Sequence, residues 1–60
     1  MIYDRIKAIC KEKGVSVASV EKQAGLGYGT ISKWNDSSPT VSNVQAVASV
    51  LKVSVNKLIN

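Results

Sequence analysis

The residues that could carry chemistry in this chain are polar or basic, and catalytic combinations are scarce among them. The sequence has no histidine, one cysteine and four carboxylates, against eight lysines and arginines. Zinc sites and nucleophilic dyads usually need histidine or clustered cysteine, so we expect no enzyme, metal site, cofactor or small-molecule substrate. The formal net charge of +4 favours a polyanionic partner, such as nucleic acid.

Three alternating glycines, Gly25, Gly27 and Gly29, are similar to a phosphate-binding loop. Such a loop follows a β-strand in a βαβ unit. The residues before Gly25 have helical spacing instead, so this reading is disfavoured.

Two helices are expected in the first half of the chain. Apolar residues at helical spacing predict a helix over residues 3–13, which Gly14 would end as a left-handed cap. Ser16 is a good N-cap for a second helix of about eight residues, and Gly25 should end that helix.

A third helix is expected over residues 28–34. Ile31 and Trp34 are spaced to pack on one of its faces, and Gly27 can serve as its N-cap. Gly29 opposes this assignment, because glycine inside a helix costs about 1 kcal/mol relative to alanine.

Residues 35–39 form a loop, after which Thr40 or Ser42 would cap a fourth helix, and Ser54 would cap a last short turn over residues 55–59. The predicted fold is therefore all-α, a compact bundle of five short helices with no strand. Its expected core is Ile6, Ile9, Cys10, Val20, Ala24, Leu26, Ile31, Trp34, Val44, Val47, Leu51 and Leu58.

Two helices joined this closely must cross steeply, and the start of the second then faces outward. Here the sequence resembles the Cro and phage-repressor (XRE) helix-turn-helix family. The resemblance rests on Gly25, Leu26, the run Thr30–Trp34 and the apolar pattern through Leu58. It covers nearly the whole chain, with Glu21 standing where the family often has alanine. We expect Glu21 either to lean outward or to accept a hydrogen bond.

The resemblance implies a lambda repressor-like fold in which residues 16–34 dock on DNA. Tyr28 and Thr30 would approach base edges or phosphates, Lys33 a base or phosphate, and Ser16 would aim its helix at a phosphate. Tyr28, Lys33 and Ser16 have plainer alternatives, which are an exposed aromatic, a solvated lysine and a helix cap respectively. The predicted DNA-binding set is Ser16, Gly27, Tyr28, Gly29, Thr30, Lys33, Asn35, Ser37, Ser38, Thr40 and Asn43.

The expected protein is a sequence-specific transcriptional regulator, a repressor that binds operator half-sites in double-stranded DNA as a homodimer. Residues 1–60 would be a single domain, or the N-terminal module of a longer regulator. The sequence has no transmembrane or signal-peptide pattern, so we expect a cytoplasmic protein. The alternative is an antitoxin or protein-interaction module with the same fold, using an apolar patch of Val53, Val55, Leu58 and Ile59.

Overall fold

The computed structural model describes residues 2–59, so Met1 and Asn60 of the predicted domain lie outside the described residues. The elements are α1 (Ile2–Lys13), α2 (Val17–Gln23), a 3-10 helix (Ile31–Lys33), α3 (Val41–Leu51) and α4 (Val55–Ile59). No strand occurs within this part of the chain, which confirms the all-α prediction. The prediction of five helices is corrected to four α-helices and one 3-10 helix.

Local signals in the sequence set where α2 and α3 begin. Ser16 has extended backbone, and its hydroxyl accepts a hydrogen bond from the Ser19 amide at 3.0 Å. Thr40 caps α3 in the same way, with the Asn43 amide donating at 3.1 Å. Both contacts satisfy amides that the first turn of a helix leaves without intrahelical partners.

The first two helices end at glycines with left-handed backbone. Gly14 has φ 72° and Gly25 has φ 76°. Beyond Gly14, the Val15 amide donates to the Cys10 carbonyl at 2.9 Å, and beyond Gly25 the Leu26 amide donates to the Glu21 carbonyl at 2.8 Å. These are Schellman motifs, in which glycine avoids the steric penalty of positive φ.

The predicted helix over residues 28–34 is wrong in kind and length. Residues 28–30 form a turn, and only Ile31–Lys33 is helical, as one turn of 3-10 helix. Gly29 has φ 83°, outside the right-handed region that an α-helix requires. Gly27 is not a helix N-cap either; its carbonyl accepts from the Thr30 amide at 3.2 Å within the turn.

The core lies where α1, α2, the 3-10 helix, α3 and α4 meet. It contains Ile6, Ile9, Cys10, Val20, Ile31, Trp34, Val44, Val47, Ala48, Leu51 and Leu58. Trp34 is therefore a core residue, as expected. Ala24 and Leu26, also predicted to be core, are only partly buried and pack against this cluster. Burial raises the pKa of the Cys10 thiol above its ordinary value.

The helices are short relative to a lipid bilayer. α1, with 12 residues, is the longest of them, whereas a membrane span needs about 20. Between residues 2 and 59 no helix has the length and apolar character to cross a membrane.

Candidate nucleic-acid interface

The turn between α2 and the 3-10 helix carries the most exposed large side chain of the candidate site. Tyr28 is 93% exposed, although an aromatic ring gains free energy by being buried. Gly29 follows it with left-handed backbone, and its carbonyl accepts a hydrogen bond from the Ser32 hydroxyl at 2.7 Å. The turn therefore presents Tyr28 to solvent from a hydrogen-bonded backbone.

Glu21, on α2, is hydrogen-bonded to the backbone of this turn and of the 3-10 helix that follows. Its side chain is 3% exposed, and each carboxylate oxygen accepts a backbone hydrogen bond. Oε1 accepts from the Gly29 amide at 3.1 Å and Oε2 from the Ile31 amide at 2.8 Å. Of the two expectations for Glu21, hydrogen-bond acceptance is confirmed, and leaning outward is wrong.

Residues 27–34 are referred to as the recognition segment, and the predicted contact residues within it differ in exposure. Lys33 is exposed, whereas Thr30 and Gly29 are half-buried, and Gly27 is exposed. A β-carbon at Gly27 would lie 3.4 Å from the Thr30 hydroxyl oxygen, so a larger residue there would press on Thr30. Residues 28–33 thus combine one aromatic ring, one lysine charge and the hydroxyls of Thr30 and Ser32.

The N-terminal end of α2 lies beside the same turn. Val17 and Ala18 border a shallow crevice together with Tyr28, Gly29 and Ser32. The start of α2, which Ser16 was predicted to aim at DNA, therefore lies close to the recognition segment. Ser16 itself is exposed and caps the helix.

Asn35 occupies a position that the sequence did not reveal. Its Oδ1 accepts a hydrogen bond from the Tyr3 amide at 3.1 Å, and its Nδ2 donates to Asp4 Oδ1 at 3.3 Å. The side chain therefore caps the first turn of α1 from 32 residues away. No local signal marks this role, because an N-cap is normally adjacent in sequence to its helix.

The remaining predicted contacts lie in the loop before α3 and in its first turn. Ser37, Ser38 and Thr40 are exposed, and Asn43 is half-buried. Ser38 borders an apolar groove with Trp34, Pro39 and other hydrophobic residues rather than the Tyr28 crevice. Ser37, Ser38 and Thr40 are therefore accessible, and Ser38 lies at a different depression of the surface from Tyr28.

The same groove carries the apolar patch that the sequence suggested. Val55 and Ile59 line it, and so does Val41, which is 72% exposed. Val53 and Leu58, also predicted for the patch, are half-buried and fully buried. Part of the expected patch therefore closes the core, and part remains on the surface.

A metal site requires several ligating side chains to lie close together. Nowhere in residues 2–59 do three histidine, cysteine or acidic side chains come together as a potential metal site. Every buried side-chain nitrogen or oxygen in that range has a hydrogen-bond partner. The exposed Tyr28 and the exposed Lys33, five positions later, are the prominent side chains of the candidate interface.

Comparison with known proteins agrees with this geometry. Residues 6–58 match a family model described as helix-turn-helix. The chain is also 35% identical over 63 residues to the HTH-type transcriptional regulator SinR of Bacillus licheniformis. That alignment covers the whole chain but 57% of SinR, so the chain spans little more than half the length of this relative. No solved structure matches the chain significantly.

Proposed function

The chain belongs to the XRE-type helix-turn-helix family of DNA-binding domains, and from that premise we propose that it is a sequence-specific transcriptional regulator, specifically a repressor. The observation that carries the proposal is Tyr28, 93% exposed on a turn that a buried carboxylate holds in place. An aromatic side chain exposed on a hydrogen-bonded turn is well placed to meet a ligand surface.

The proposed docking mode places residues 28–34 in the major groove of B-DNA, where each base pair presents a distinct pattern of donors and acceptors. Tyr28 and Thr30 supply contacts to base edges or neighbouring phosphates, and Lys33 supplies a charge for a base or phosphate. Because the helical part is one short turn, recognition depends on the turn as well as on the helix. Ser16 orients the N-terminus of α2 toward a phosphate.

The phosphate contacts come from both sides of this segment. The loop and cap residues Ser37, Ser38, Thr40 and Asn43 follow the DNA backbone in this proposal. Asn35 contributes by fixing α1 as well as by its predicted backbone contact. The net charge of +4 adds attraction that does not depend on sequence.

Regulation follows from occupancy: a repressor bound to its operator excludes other proteins from the same DNA. The proposed assembly is a homodimer on two half-sites, and the exposed Val41 and Ile59 beside the apolar groove support a protein–protein contact. In this proposal the domain is a non-enzymatic module, and the greater length of SinR supports its being part of a longer regulator. Bacterial or phage DNA as the target places the protein in the cytoplasm.

The test is an NMR titration of the ¹⁵N-labelled protein with a mixed-sequence duplex at low and moderate salt. Amide shifts concentrated at residues 16, 27–33 and 35–43, and fading as salt rises, would support the interface. The binding constant should follow a log–log salt slope of about −0.9 for each phosphate neutralised.

The absence of shifts at low salt would contradict DNA binding by this domain. The antitoxin or protein-interaction alternative, with the groove near Val41 and Ile59 as its contact surface, would then take first place.

A further inference from the structure

Glu21 is the one buried charged side chain among residues 2–59. A carboxylate removed from water loses a large hydration free energy unless hydrogen bonds replace that hydration. Here both oxygens are used, at 3.1 Å and 2.8 Å, and both donors are backbone amides of the candidate recognition segment. The contact is thus between the two elements of the helix-turn-helix, and it involves no other charged residue.

The position of the two donors explains what the carboxylate controls. Gly29 and Ile31 flank Thr30, and Gly29 directly follows Tyr28. Ile31 is the first residue of the 3-10 helix, and the start of a helix leaves amides without intrahelical partners. Glu21 satisfies this amide and the Gly29 amide of the preceding turn. Gly29 has φ 83°, so the backbone turns there, directly after the exposed Tyr28.

We propose that Glu21 is a positioning residue for DNA recognition. It never touches DNA; its two hydrogen bonds fix the turn that sets the direction of Tyr28 and Thr30. The inference rests on the proposed function, because it assigns the cause of base discrimination to a carboxylate outside the contact surface. A recognition group must be held close to its productive geometry to discriminate, and a three-residue 3-10 helix cannot do this by itself.

An electrostatic role and a positioning role of Glu21 predict different changes in DNA affinity when its charge is removed. Neutralising an acid near a polyanion strengthens binding to any duplex, through reduced repulsion. If Glu21 positions the turn, the same substitution weakens binding to the preferred sequence relative to other sequences. The ratio of the two affinities therefore separates the two roles.

The experiment compares Glu21→Gln with Glu12→Gln, which removes the same charge from an exposed position on α1. The probes are a duplex selected by the wild-type protein from a random-sequence library and a scrambled version of that duplex. Affinities are measured by fluorescence anisotropy, and amide hydrogen exchange is measured at Gly29 and Ile31 in the free proteins. Circular dichroism establishes that each variant is folded.

Glu21→Gln should lower the ratio of selected to scrambled affinity about tenfold, which corresponds to about 1.4 kcal/mol. It should also speed exchange at Gly29 and Ile31. Glu12→Gln should leave both the ratio and the exchange at wild-type values. A folded Glu21→Gln variant with a wild-type ratio would overturn the proposal, even if both affinities rose.

A second variant covers the case in which Glu21→Gln does not fold. Gly29→Ala disturbs the same turn from the donor side, because alanine disfavours the left-handed backbone, while only the Ser32 hydroxyl lies near the new β-carbon, at 3.9 Å. It should lose discrimination and speed exchange at Ile31; retained discrimination would contradict the inference.

Failure of the proposed function has a different signature. A wild-type protein that selects no duplex from the random-sequence library would exclude the DNA role, and with it this inference about recognition. Exchange at Gly29 and Ile31 in the free variants would still show whether Glu21 holds the turn.

Discussion

Tyr28 and Lys33 are both exposed in the recognition segment, but they would act on DNA through different interactions. A tyrosine makes short-range, directional contacts through its ring and hydroxyl. A lysine is a flexible point charge that interacts with phosphates at any sequence. Loss of the two side chains should therefore change different properties of binding.

We predict that Tyr28→Ala lowers discrimination between a selected and a scrambled duplex without changing the salt dependence. Lys33→Ala should weaken both duplexes alike and reduce the magnitude of the log–log salt slope by about 0.9, the value for one phosphate contact. Anisotropy titrations over a series of salt concentrations measure both quantities. Lys57→Ala, an exposed lysine on α4, is the charge-matched control.

Equal and negligible effects of Tyr28→Ala and Lys33→Ala would remove residues 28–34 from the interface. A salt slope that changed as much in Lys57→Ala as in Lys33→Ala would assign the lysine effect to net charge alone.

At the scale of single elements, the end of α3 departs from the ends of α1 and α2. All three helices close with the same pair of hydrogen bonds; at α3 the Val53 amide donates to the Ala48 carbonyl at 3.0 Å. Lys52, with φ 58°, occupies the left-handed position that glycine takes in the other two. A non-glycine residue there brings its β-carbon close to a backbone carbonyl, which costs about 1–2 kcal/mol.

We predict that Lys52→Gly is more stable than Lys52→Ala by about 1 kcal/mol, because glycine relieves the strain that alanine retains. Both variants lack the lysine charge and the long side chain, so the difference between them reports the backbone preference. Urea denaturation, followed by Trp34 fluorescence, measures the difference in unfolding free energy. As a reciprocal control, Gly25→Ala, at φ 76° with no atom within 4 Å of the new β-carbon, should lose a similar amount.

A Lys52→Gly variant no more stable than Lys52→Ala would contradict the strain argument. The end of α3 would then be fixed by the burial of Leu51 and by packing around Val53 rather than by backbone preference.

The elements that the sequence predicted correctly are those with local causes. Ser16, Gly14, Gly25 and Thr40 act on residues within five positions of themselves, so their roles follow from residue type and spacing. The apolar periodicity of α1 and α3 is likewise visible in the sequence, and most of the core follows from it.

The recognition segment could not be predicted in the same way. The spacing of Ile31 and Trp34 is correct for packing, and both are buried. The backbone that joins α2 to Ile31 depends on Gly29 and on the carboxylate of Glu21. That carboxylate accepts hydrogen bonds from amides eight and ten residues further along the chain. Such a tertiary contact overrides helix periodicity and leaves no regular pattern in the sequence.

The resemblance to the helix-turn-helix family suggested Tyr28, Thr30 and Lys33 as contact residues, and that role stays a prediction. In the structure Tyr28 and Lys33 are exposed and Thr30 is half-buried. The cap that Asn35 places on α1 joins residues more than 30 positions apart, and no spacing rule relates them.

At the scale of the whole molecule, size limits what one domain can recognise. The described residues extend 25 × 24 × 18 Å, whereas one turn of B-DNA is about 34 Å long. A single domain that docks through the turn at Tyr28 can therefore face one major groove at a time. Two domains side by side would span successive grooves on the same face of the duplex, which is why the proposed target consists of two half-sites.

We predict that two copies of the domain bind a selected duplex, and that the half-sites lie about one helical turn apart. Sedimentation of the complex gives the stoichiometry. Inserting roughly five base pairs between the half-sites turns the second one to the opposite face of the duplex, so two contacting domains can no longer bind both. The affinity should then fall to that of a duplex with one half-site, which is the matched control. Saturation by one copy, with no effect of the insertion, would show that the domain recognises DNA as a monomer.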